Sequence, residues 1–343
     1  MKNNKSLIVN ISTSKFSELL LQLYYKNFPS FLFIDKFENK LKYKYSYFLR
    51  DRILKEFISV RDTSDIKCLK KLLIISMPIS LLENFLYFSK LILKAGFYKK
   101  LKFIMTSQNY DTNEYFKYLA SFASLGNCKI IYIQHGNQDG TSEFDHYKNP
   151  EKTSDFFFTW GWKKNKKTIP LFNIKTSGKK KFCKNSLKGK SLFFYNSPAP
   201  SNRFVYDVNF QYNIDYNNEI SFIELLSKKN QDRLTVKLHD NQYTNHTRNF
   251  VNFCNKRNKK INIICELDSG KAMINSRISV FSYDSTGLYE HLSLNHPCLA
   301  FSNTNFSKDL NYKSKKYYKY LKDVNILHDN PKQVARFLNQ SWD

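Results

Sequence analysis

Residues 280–301, VFSYDSTGLYEHLSLNHPCLAF, have the pattern of a strand, a helix and a second strand. The first apolar run ends at Tyr283, helix-initiating residues follow at 284–286, and a second apolar run begins at Pro297. Consecutive strand–helix–strand units build a parallel sheet that helices cover on both faces. This segment therefore predicts an α/β fold.

The same alternation extends along most of the chain. Amphipathic stretches such as residues 14–28, SKFSELLLQLYYKNF, place apolar side chains three and four positions apart, which is the period of a helix. The apolar runs that we predict as strands are residues 6–11, 31–35, 72–77, 101–107 and 129–134 in the first half, and 191–198, 234–240, 261–267, 278–285 and 297–302 in the second.

A lysine-rich stretch at residues 163–190 lacks this alternation and predicts a basic linker. It separates an N-terminal domain, 1–162, from a C-terminal domain, 191–329. A closing helix, 330–343, follows with Asn330 as its N-cap. We expect two Rossmann-like domains that face a cleft, because ligands of open α/β sheets bind beyond the carboxyl ends of the strands.

The net charge of +26 raises the question of a polyanionic partner. The lysines are scattered among abundant asparagine, isoleucine, tyrosine and phenylalanine, a composition that a codon bias towards A and T also produces. We therefore expect no nucleic-acid partner. Peripheral contact with an acidic membrane is the better interpretation of the charge, and residues 311–322, NYKSKKYYKYLK, are its best local candidate, with a solvated helix as the alternative.

The six cysteines lack the spacing of a disulfide framework or a zinc site, which predicts reduced thiols in a cytoplasmic protein and no bound metal. The N-terminal sequence MKNNKSLIVNIS lacks the pattern of a secretory signal. Residues 72–97 form the most apolar segment, but Pro78, Glu83 and Lys90 interrupt it. We expect a strand and a buried helix there rather than a membrane span.

The start of the predicted helix in the first quoted segment suits a phosphate group. Ser285 and Thr286 offer hydroxyls beside unpaired backbone N–H groups, and Glu290, one turn further, is placed to accept hydrogen bonds from a ribose. The alternative is a simple N-cap. Lys237 and His239 lie on the same side of another predicted strand, at its end. A cation and an imidazole in this position can neutralise a leaving phosphate. The alternative is that the two side chains pair with nearby carboxylates at the edge of the sheet.

The stretch YIQHGNQDG, residues 132–140, ends a predicted strand of the N-terminal domain with a histidine among polar residues and glycines. His135 is placed to act as a general base on an acceptor hydroxyl. Asp139 and Glu143 are alternative bases, nucleophiles or orienting groups. The structural alternative is a glycine-rich turn.

Two tryptophans flank Gly161 in DFFFTWGW, residues 155–162. Their rings suit stacking on a sugar or a base, and packing at a hinge is the alternative.

The motifs QHG, DxxxTWGW, a later arginine, KLH and YDSTGLYEHLSLNHP, in this order, resemble those of transferases from bacterial surface-polysaccharide and O-antigen clusters. More distantly they are similar to GT-B glycosyltransferases that use CMP-activated acidic sugars, the sialic acid and Kdo transferases. In those enzymes an HP motif and a Ser/Thr motif of the C-terminal domain bind CMP, and a D/E-D-G motif of the N-terminal domain carries the catalytic carboxylate. The resemblance covers residue 129 to the C-terminus, and it implies that the domain 1–162 is the acceptor side and that the domain 191–329 binds the nucleotide sugar.

The match can be followed motif by motif. Residues 237–239 fall on the HP motif, with Asp240 in place of its proline. Residues 285–286 fall on the Ser/Thr motif, and Glu290 corresponds to the ribose-binding carboxylate. Residues 134–136 fall on the D/E-D-G motif but lack its carboxylate.

The missing carboxylate leaves two mechanisms open. His135 as the base implies an inverting reaction, whereas Asp139 or Glu143 as a nucleophile implies a retaining one. The site that the resemblance implies has catalytic candidates His135, Asp139 and Glu143, nucleotide-binding candidates Lys237, His239, Asp284, Ser285, Thr286 and Glu290, and substrate-binding candidates Gln134, Gly136, Trp160, Trp162 and Arg203.

The expected activity is transfer of Kdo or another ulosonic or nonulosonic acid from a CMP-activated donor to a glycan or glycolipid acceptor, in the biosynthesis of lipopolysaccharide, O-antigen or capsule. The chain has no DxD motif, and one leaving phosphate can be stabilised by protein donors, so we expect no metal or other cofactor. The cytoplasm, or the inner face of the cytoplasmic membrane, is the expected location. Alternatives are transfer of a polyol phosphate from a CDP-linked donor, a basic nucleic-acid-binding protein, and a non-catalytic scaffold of the glycan machinery.

Overall fold

The computed structural model describes residues 5–27, 41–143, 148–179, 181, 191–195, 208–238, 245–265, 276–301 and 310–341. The chain divides into two compact units. The N-terminal unit comprises Met1–His135 and Asn149–Ile174, and the C-terminal unit comprises Gly136–Lys148 and Lys175–Asp343.

Short strands and helices alternate along the chain. The strands are β1 (Ser6–Ile8), β2 (Phe103–Thr106), β3 (Lys129–Ile133), β4 (Phe156–Thr159), β5 (Thr168–Pro170), β6 (Ser191–Tyr195), β7 (Leu234–Lys237), β8 (Asn262–Ile264), β9 (Ser276–Phe281), β10 (Cys298–Phe301) and β11 (Leu327–His328). The helices are α1 (Lys15–Tyr24), α2 (Tyr47–Phe57), α3 (Ser64–Ser76), α4 (Phe85–Ala95), α5 (Asn109–Thr112), α6 (Glu114–Ser124), α7 (Gln138–Thr141), α8 (Lys148–Thr153), α9 (Val208–Leu225), α10 (Lys228–Gln231), α11 (Asn245–Arg257), α12 (Thr286–Ser293), α13 (Tyr312–Asp323) and α14 (Pro331–Ser341).

The N-terminal unit contains a parallel sheet in the order β1-β2-β3-β4-β5. Its core lies between this sheet and helices α4 and α6, where Leu7, Ile104 and Phe116 are fully buried. Because the strands are parallel and neighbours in chain order, the loops that follow them lie along one edge of the sheet.

The C-terminal unit contains a second parallel sheet in the order β11-β10-β9-β6-β7-β8. The chain adds β7 and β8 on one side of β6 and then returns to place β9 and β10 on the other side, which makes the β6/β9 boundary a topological switch point. Phe194, Val236 and Val280 are buried in its core.

The α/β class with two parallel sheets is confirmed. Of the ten predicted strands, eight contain or overlap an observed strand. Residues 31–35 lie outside the described residues. The closing helix forms as expected, and the backbone N–H of Gln333 donates to Asn330 Oδ1 at 3.0 Å. The predicted cleft stays a prediction.

The strand predicted at residues 72–77 is wrong, because these residues end helix α3. Thr63 caps that helix by accepting a hydrogen bond from Ile66 N at 3.4 Å. The sequence analysis also missed β4 and β5, and β5 lies inside the predicted linker although it pairs with β4. Within the described part of the chain, no helix has both the length and the hydropathy of a membrane span.

Candidate functional site

Three loops of the N-terminal unit meet at the imidazole of His135. His135 follows β3, Ser12 follows β1, and Gln108 follows β2. Ser12 Oγ lies 3.0 Å from His135 Nδ1, and Gln108 Nε2 lies 3.1 Å from Nδ1 and 3.2 Å from Nε2. The carboxyl edge of this sheet thus presents a half-buried imidazole, the side chain that most often acts as a general base in enzymes.

The loop after β1 holds the Ser12 hydroxyl in place. Asn10 and Ser12 have φ angles of 48° and 60°, in the left-handed region that residues other than glycine seldom occupy. Ser107 fixes this conformation, since its backbone N–H and its hydroxyl donate to Asn10 O at 3.1 and 2.7 Å and its Oγ also contacts Ser12 Oγ. Backbone conformations of this kind concentrate at functional sites, where surrounding contacts maintain them.

Gln134 organises the tryptophan-containing turn after β4. Its Oε1 accepts hydrogen bonds from Trp160 N at 2.7 Å and from Trp162 Nε1 at 2.8 Å. Gly161 makes the turn possible with a φ of 89°. The Trp162 ring packs edge-on against Phe157. In contrast, Trp160 Nε1 is a buried donor without a hydrogen-bond acceptor in the described part of the chain.

In the C-terminal unit, α12 begins at the topological switch point. Ser285 is its N-cap, and Ser285 Oγ accepts a hydrogen bond from Gly287 N at 3.0 Å. Thr286 Oγ1 donates to Asn137 Oδ1 at 3.1 Å. Both predicted hydroxyls therefore lie at a helix N-terminus, where partial positive charge favours an anion, and the N-cap alternative is also realised by Ser285.

Asp284 is a half-buried acceptor that joins three segments of the C-terminal unit. Its carboxylate accepts hydrogen bonds from Asn137 Nδ2 at 2.6 Å, Tyr318 OH at 2.9 Å and Tyr289 OH at 3.1 Å. Burial raises the pKa of Asp284 to about 6, against the lowering effect of these three donors. The geometry gives Asp284 a role in holding the switch-point loop, and its predicted contact with phosphate stays a prediction.

The residues just after His135 belong to the C-terminal unit and pack on α12 and α13. A Cβ atom at Gly136 would lie 3.3 Å from Thr286 Oγ1, so the glycine permits this close approach. Gly140 O accepts hydrogen bonds from Asn311 Nδ2 at 2.8 Å and Ser314 Oγ at 3.2 Å. The segment that follows the predicted base is thus held by the C-terminal unit.

Two lysines that the sequence analysis left in the linker lie near Glu290. Lys175 Nζ is 4.0 Å from Glu290 Oε1, and Lys179 Nζ is 3.8 Å from Glu290 Oε2. Burial lowers the pKa of Lys175, although Glu290 and the buried Asp139 raise it. The turn-rich composition around these lysines gave no signal for their position, which depends on contacts with a helix more than 100 residues later in the chain.

The other predicted residues are more scattered. Lys237 ends β7, two strands from β9, and its Nζ donates to Leu238 O at 3.5 Å. Glu143 is exposed in the turn after α7. His239 and Arg203 lie outside the described residues. The described residues contain no group of three His, Cys, Asp or Glu that could hold a metal ion, and metal-independent chemistry stays a prediction.

Sequence reasoning missed Ser12, Ser107 and Gln108. The signal that could have found them is their position at or directly after the ends of two predicted strands, 6–11 and 101–107, of the same domain. Parallel strands bring such loops to one edge, so each polar residue at a strand end is a candidate neighbour of His135.

The chain was compared with known proteins. A family model described as "LIC12162 family transferase" matches residues 1–343. No curated protein sequence matches the chain. Among solved structures, the crystal structure of Anabaena Alr3699/HepE in complex with UDP and glucose has a TM-score of 0.40 and 9% sequence identity, covering 78% of this chain and 82% of that one. The crystal structure of the GtfA/B complex has a TM-score of 0.32 and 9% identity, covering 74% of this chain and 56% of that one.

Proposed function

We propose that this chain, which belongs to the LIC12162 family of transferases, is a glycosyltransferase that moves an acidic sugar from a CMP-activated donor to a surface-glycan acceptor at the inner face of the cytoplasmic membrane. The family supports the transferase class. The resemblance of the sequence motifs to CMP-sugar transferases supports the donor class.

The observation that carries the proposal is the convergence of Ser12, Gln108 and His135 at one sheet edge. With the imidazole proton on Nδ1, the ring donates to Ser12 Oγ, and Nε2 is the atom that accepts the proton of the acceptor hydroxyl, in place of its contact with Gln108. The acceptor oxygen attacks the anomeric carbon, and the bond to CMP breaks with its electrons on the phosphate. Trp160 Nε1 is a buried hydrogen-bond donor, and an oxygen atom of the bound acceptor sugar can accept a hydrogen bond from it.

The donor half of the proposal is supported by the N-terminus of α12. Ser285 and Thr286 place hydroxyls at the end of the helix that favours an anion, and the switch point is where doubly wound sheets bind ligands. Lys175 and Lys179 add positive charge one turn along, beside the proposed ribose-binding Glu290. A single departing phosphate can be stabilised by such donors.

The test is CMP release from a CMP-linked ulosonic acid in the presence of a glycolipid extract, with the product identified by mass spectrometry. We expect His135→Ala to lower kcat by roughly 10²–10⁴-fold, the usual contribution of a general base, and to leave CMP affinity unchanged in calorimetry. Ser12→Ala is the matched variant that keeps the imidazole, and it should lower kcat less.

Two outcomes would contradict the assignment of His135. One is loss of CMP binding in His135→Ala, which would make the residue part of the nucleotide site. The other is unchanged transfer. A product that retains a phosphoryl group would replace the sugar-transfer proposal with polyol-phosphate transfer.

A further inference from the structure

A chain of three hydrogen bonds connects the backbone carbonyl of Asn10 to the imidazole of His135. Ser107 Oγ donates to Asn10 O at 2.7 Å and also contacts Ser12 Oγ. Ser12 Oγ in turn lies 3.0 Å from His135 Nδ1. All four residues belong to the N-terminal unit and follow the ends of β1, β2 and β3. The chain therefore lies entirely within one compact unit.

The carbonyl at one end sets the direction of each proton in the chain. A carbonyl oxygen can only accept, so the hydroxyl proton of Ser107 is committed to Asn10. Ser107 Oγ is consequently the acceptor in its contact with Ser12, and the hydroxyl proton of Ser12 is committed as well. Ser12 Oγ then presents a lone pair to His135, which places the imidazole proton on Nδ1.

The contact with Gln108 agrees with this tautomer. The amide nitrogen of Gln108 is a donor, and it lies 3.1 Å from His135 Nδ1 and 3.2 Å from Nε2. In a neutral imidazole one ring nitrogen donates and the other accepts. With the proton on Nδ1, the amide donates to Nε2. Gln108 is exposed, so an acceptor hydroxyl can take its place at that nitrogen.

The end of the chain at Asn10 is fixed by further contacts. The backbone N–H of Asn10 donates to Glu18 Oε1 at 3.3 Å, and Asn10 Nδ2 donates to Asn109 Oδ1 at 2.6 Å. The backbone N–H of Ser107 adds a second hydrogen bond to Asn10 O, at 3.1 Å. This backbone bond does not need the Ser107 hydroxyl. Removal of that hydroxyl therefore changes the order of the protons and leaves the loop anchored.

We propose that Ser107 is a positioning residue that acts through Ser12 to hold the proton of His135 on Nδ1 and the lone pair on Nε2. The inference rests on the proposed role of His135 as the general base. When Nε2 accepts the proton of the acceptor hydroxyl, the imidazole becomes positively charged, and the aligned hydroxyls direct oxygen lone pairs towards Nδ1–H. The chain thus takes the place of the carboxylate that orients the histidine of a catalytic triad.

The test is the tautomer of His135 in the unliganded protein, read from the ring nitrogen-15 chemical shifts of a histidine-labelled chain at a pH where histidine is uncharged. His135→Ala identifies its signals among those of the seven histidines. We expect the Nδ1–H form in the wild type. Ser107→Ala should shift His135 towards the Nε2–H form, because the Ser12 hydroxyl then has a proton to donate to Nδ1.

The same substitution should separate kcat from KM. Ser107→Ala should lower kcat about tenfold, the usual effect of losing one hydrogen bond that supports a charged group, and should leave KM unchanged. Circular dichroism should show an intact fold, since the backbone N–H of Ser107 still holds Asn10. Ser89→Ala is the matched control. It removes a buried hydroxyl of α4 that has no hydrogen-bond partner within the described residues, so the tautomer and kcat should not change.

The double variant Ser12→Ala/Ser107→Ala distinguishes action through Ser12 from a general effect on the loop. Adding Ser107→Ala to Ser12→Ala should change neither the tautomer nor kcat further. The proposal would be overturned by an Nε2–H form in the wild type, by an unchanged tautomer in Ser107→Ala, or by fully additive effects on kcat. The tautomer is measured without a donor, so the expected tautomers in a chain that transfers no sugar would support the inference and contradict the proposed function.

Discussion

Asp284 connects the loop after His135 to helices α12 and α13, and its protonation controls the stability of that connection. Its pKa is raised by burial from 3.8 to about 6, so the folded protein retains this proton where the unfolded chain has lost it. The contribution of Asp284 to the free energy of unfolding therefore falls as pH rises from about 4 to about 6 and is constant above that range. His291 contributes in the opposite direction, because burial lowers its pKa to about 3. The decrease attributable to Asp284 approaches about 3 kcal/mol, at about 1.4 kcal/mol for each pKa unit.

We expect Asp284→Asn to remove this contribution, which urea unfolding of the wild type and the variant at a series of pH values between 4 and 8 will measure as a pH-dependent difference between the two. Tyr318→Phe is the control, because it keeps the carboxyl group and removes a donor that lowers its pKa. In that variant the decrease should extend to higher pH. An Asp284→Asn variant with the wild-type pH dependence would show that another group is responsible.

Single residues of the site differed in how well the sequence predicted them. His135 stood out because it follows a predicted strand and because the ordinary pKa of histidine suits a general base. Ser12 and Gln108 did not, because serine and glutamine are common at loop starts, and their position after predicted strands does not show which strands are neighbours in the sheet. Only the order of β1, β2 and β3 in the sheet brings them together.

At the scale of elements, a buried ion pair ties α2 to the segment before α4, and its cation also bonds to the end of α3. Arg50 donates from Nε and Nη2 to the two oxygens of Glu83, at 2.8 and 2.9 Å, and from Nη1 to carbonyls near the end of α3. Arg50→Met leaves the Glu83 carboxylate buried without its cation, which typically costs about 3–5 kcal/mol. Denaturant unfolding should show this loss.

The double variant Arg50→Met/Glu83→Leu should recover most of it, because no uncompensated charge remains. Arg50 also holds Glu83 ionised, and the pKa of Glu83 is lowered to about 2, chiefly by its hydrogen bond from Arg50. Stability from this pair is present above pH 4.5 and is lost as pH falls towards 2. A double variant as unstable as the single one would show that the hydrogen bonds from Arg50 to α3, not the charge of Glu83, account for the loss.

The elements that the sequence misassigned share a physical reason. Residues 72–77 are apolar almost throughout, and a short run of this kind has no period that distinguishes a buried strand from a helix. The signals for a helix that begins before residue 72 are the N-cap residue Thr63 and the lysines at 67, 70 and 71. Strand β4 lies in the tryptophan-containing stretch that was interpreted as a stacking motif, and β5 lies among the lysines and turn formers of residues 163–190, so neither stands out as a separate apolar run.

At the scale of the whole molecule, the alternation of strands and helices was sufficient to predict two parallel sheets. The allocation of residues 136–148 to the C-terminal unit could not be predicted in the same way. It depends on contacts such as the hydrogen bond between Asn137 and Asp284, which are 147 positions apart in the chain. Such contacts leave no local pattern in the sequence.

The whole chain offers one measurement that separates the proposed donor from its alternatives. A ligand that binds only the folded state at 100 times its Kd stabilises that state by about 2.7 kcal/mol, which corresponds to a rise in Tm of roughly 5–10 °C for a unit of this size. In a thermal-shift series with CMP, CDP, UDP and GDP, we expect CMP to give the largest rise. Ser285→Ala/Thr286→Ala should abolish it, because both hydroxyls lie at the proposed phosphate site. A rise in Tm with UDP or GDP alone would overturn the CMP assignment and would leave the membership of the transferase family unchanged. A steeply salt-dependent rise in Tm with RNA in place of the nucleotides would favour a nucleic-acid-binding protein.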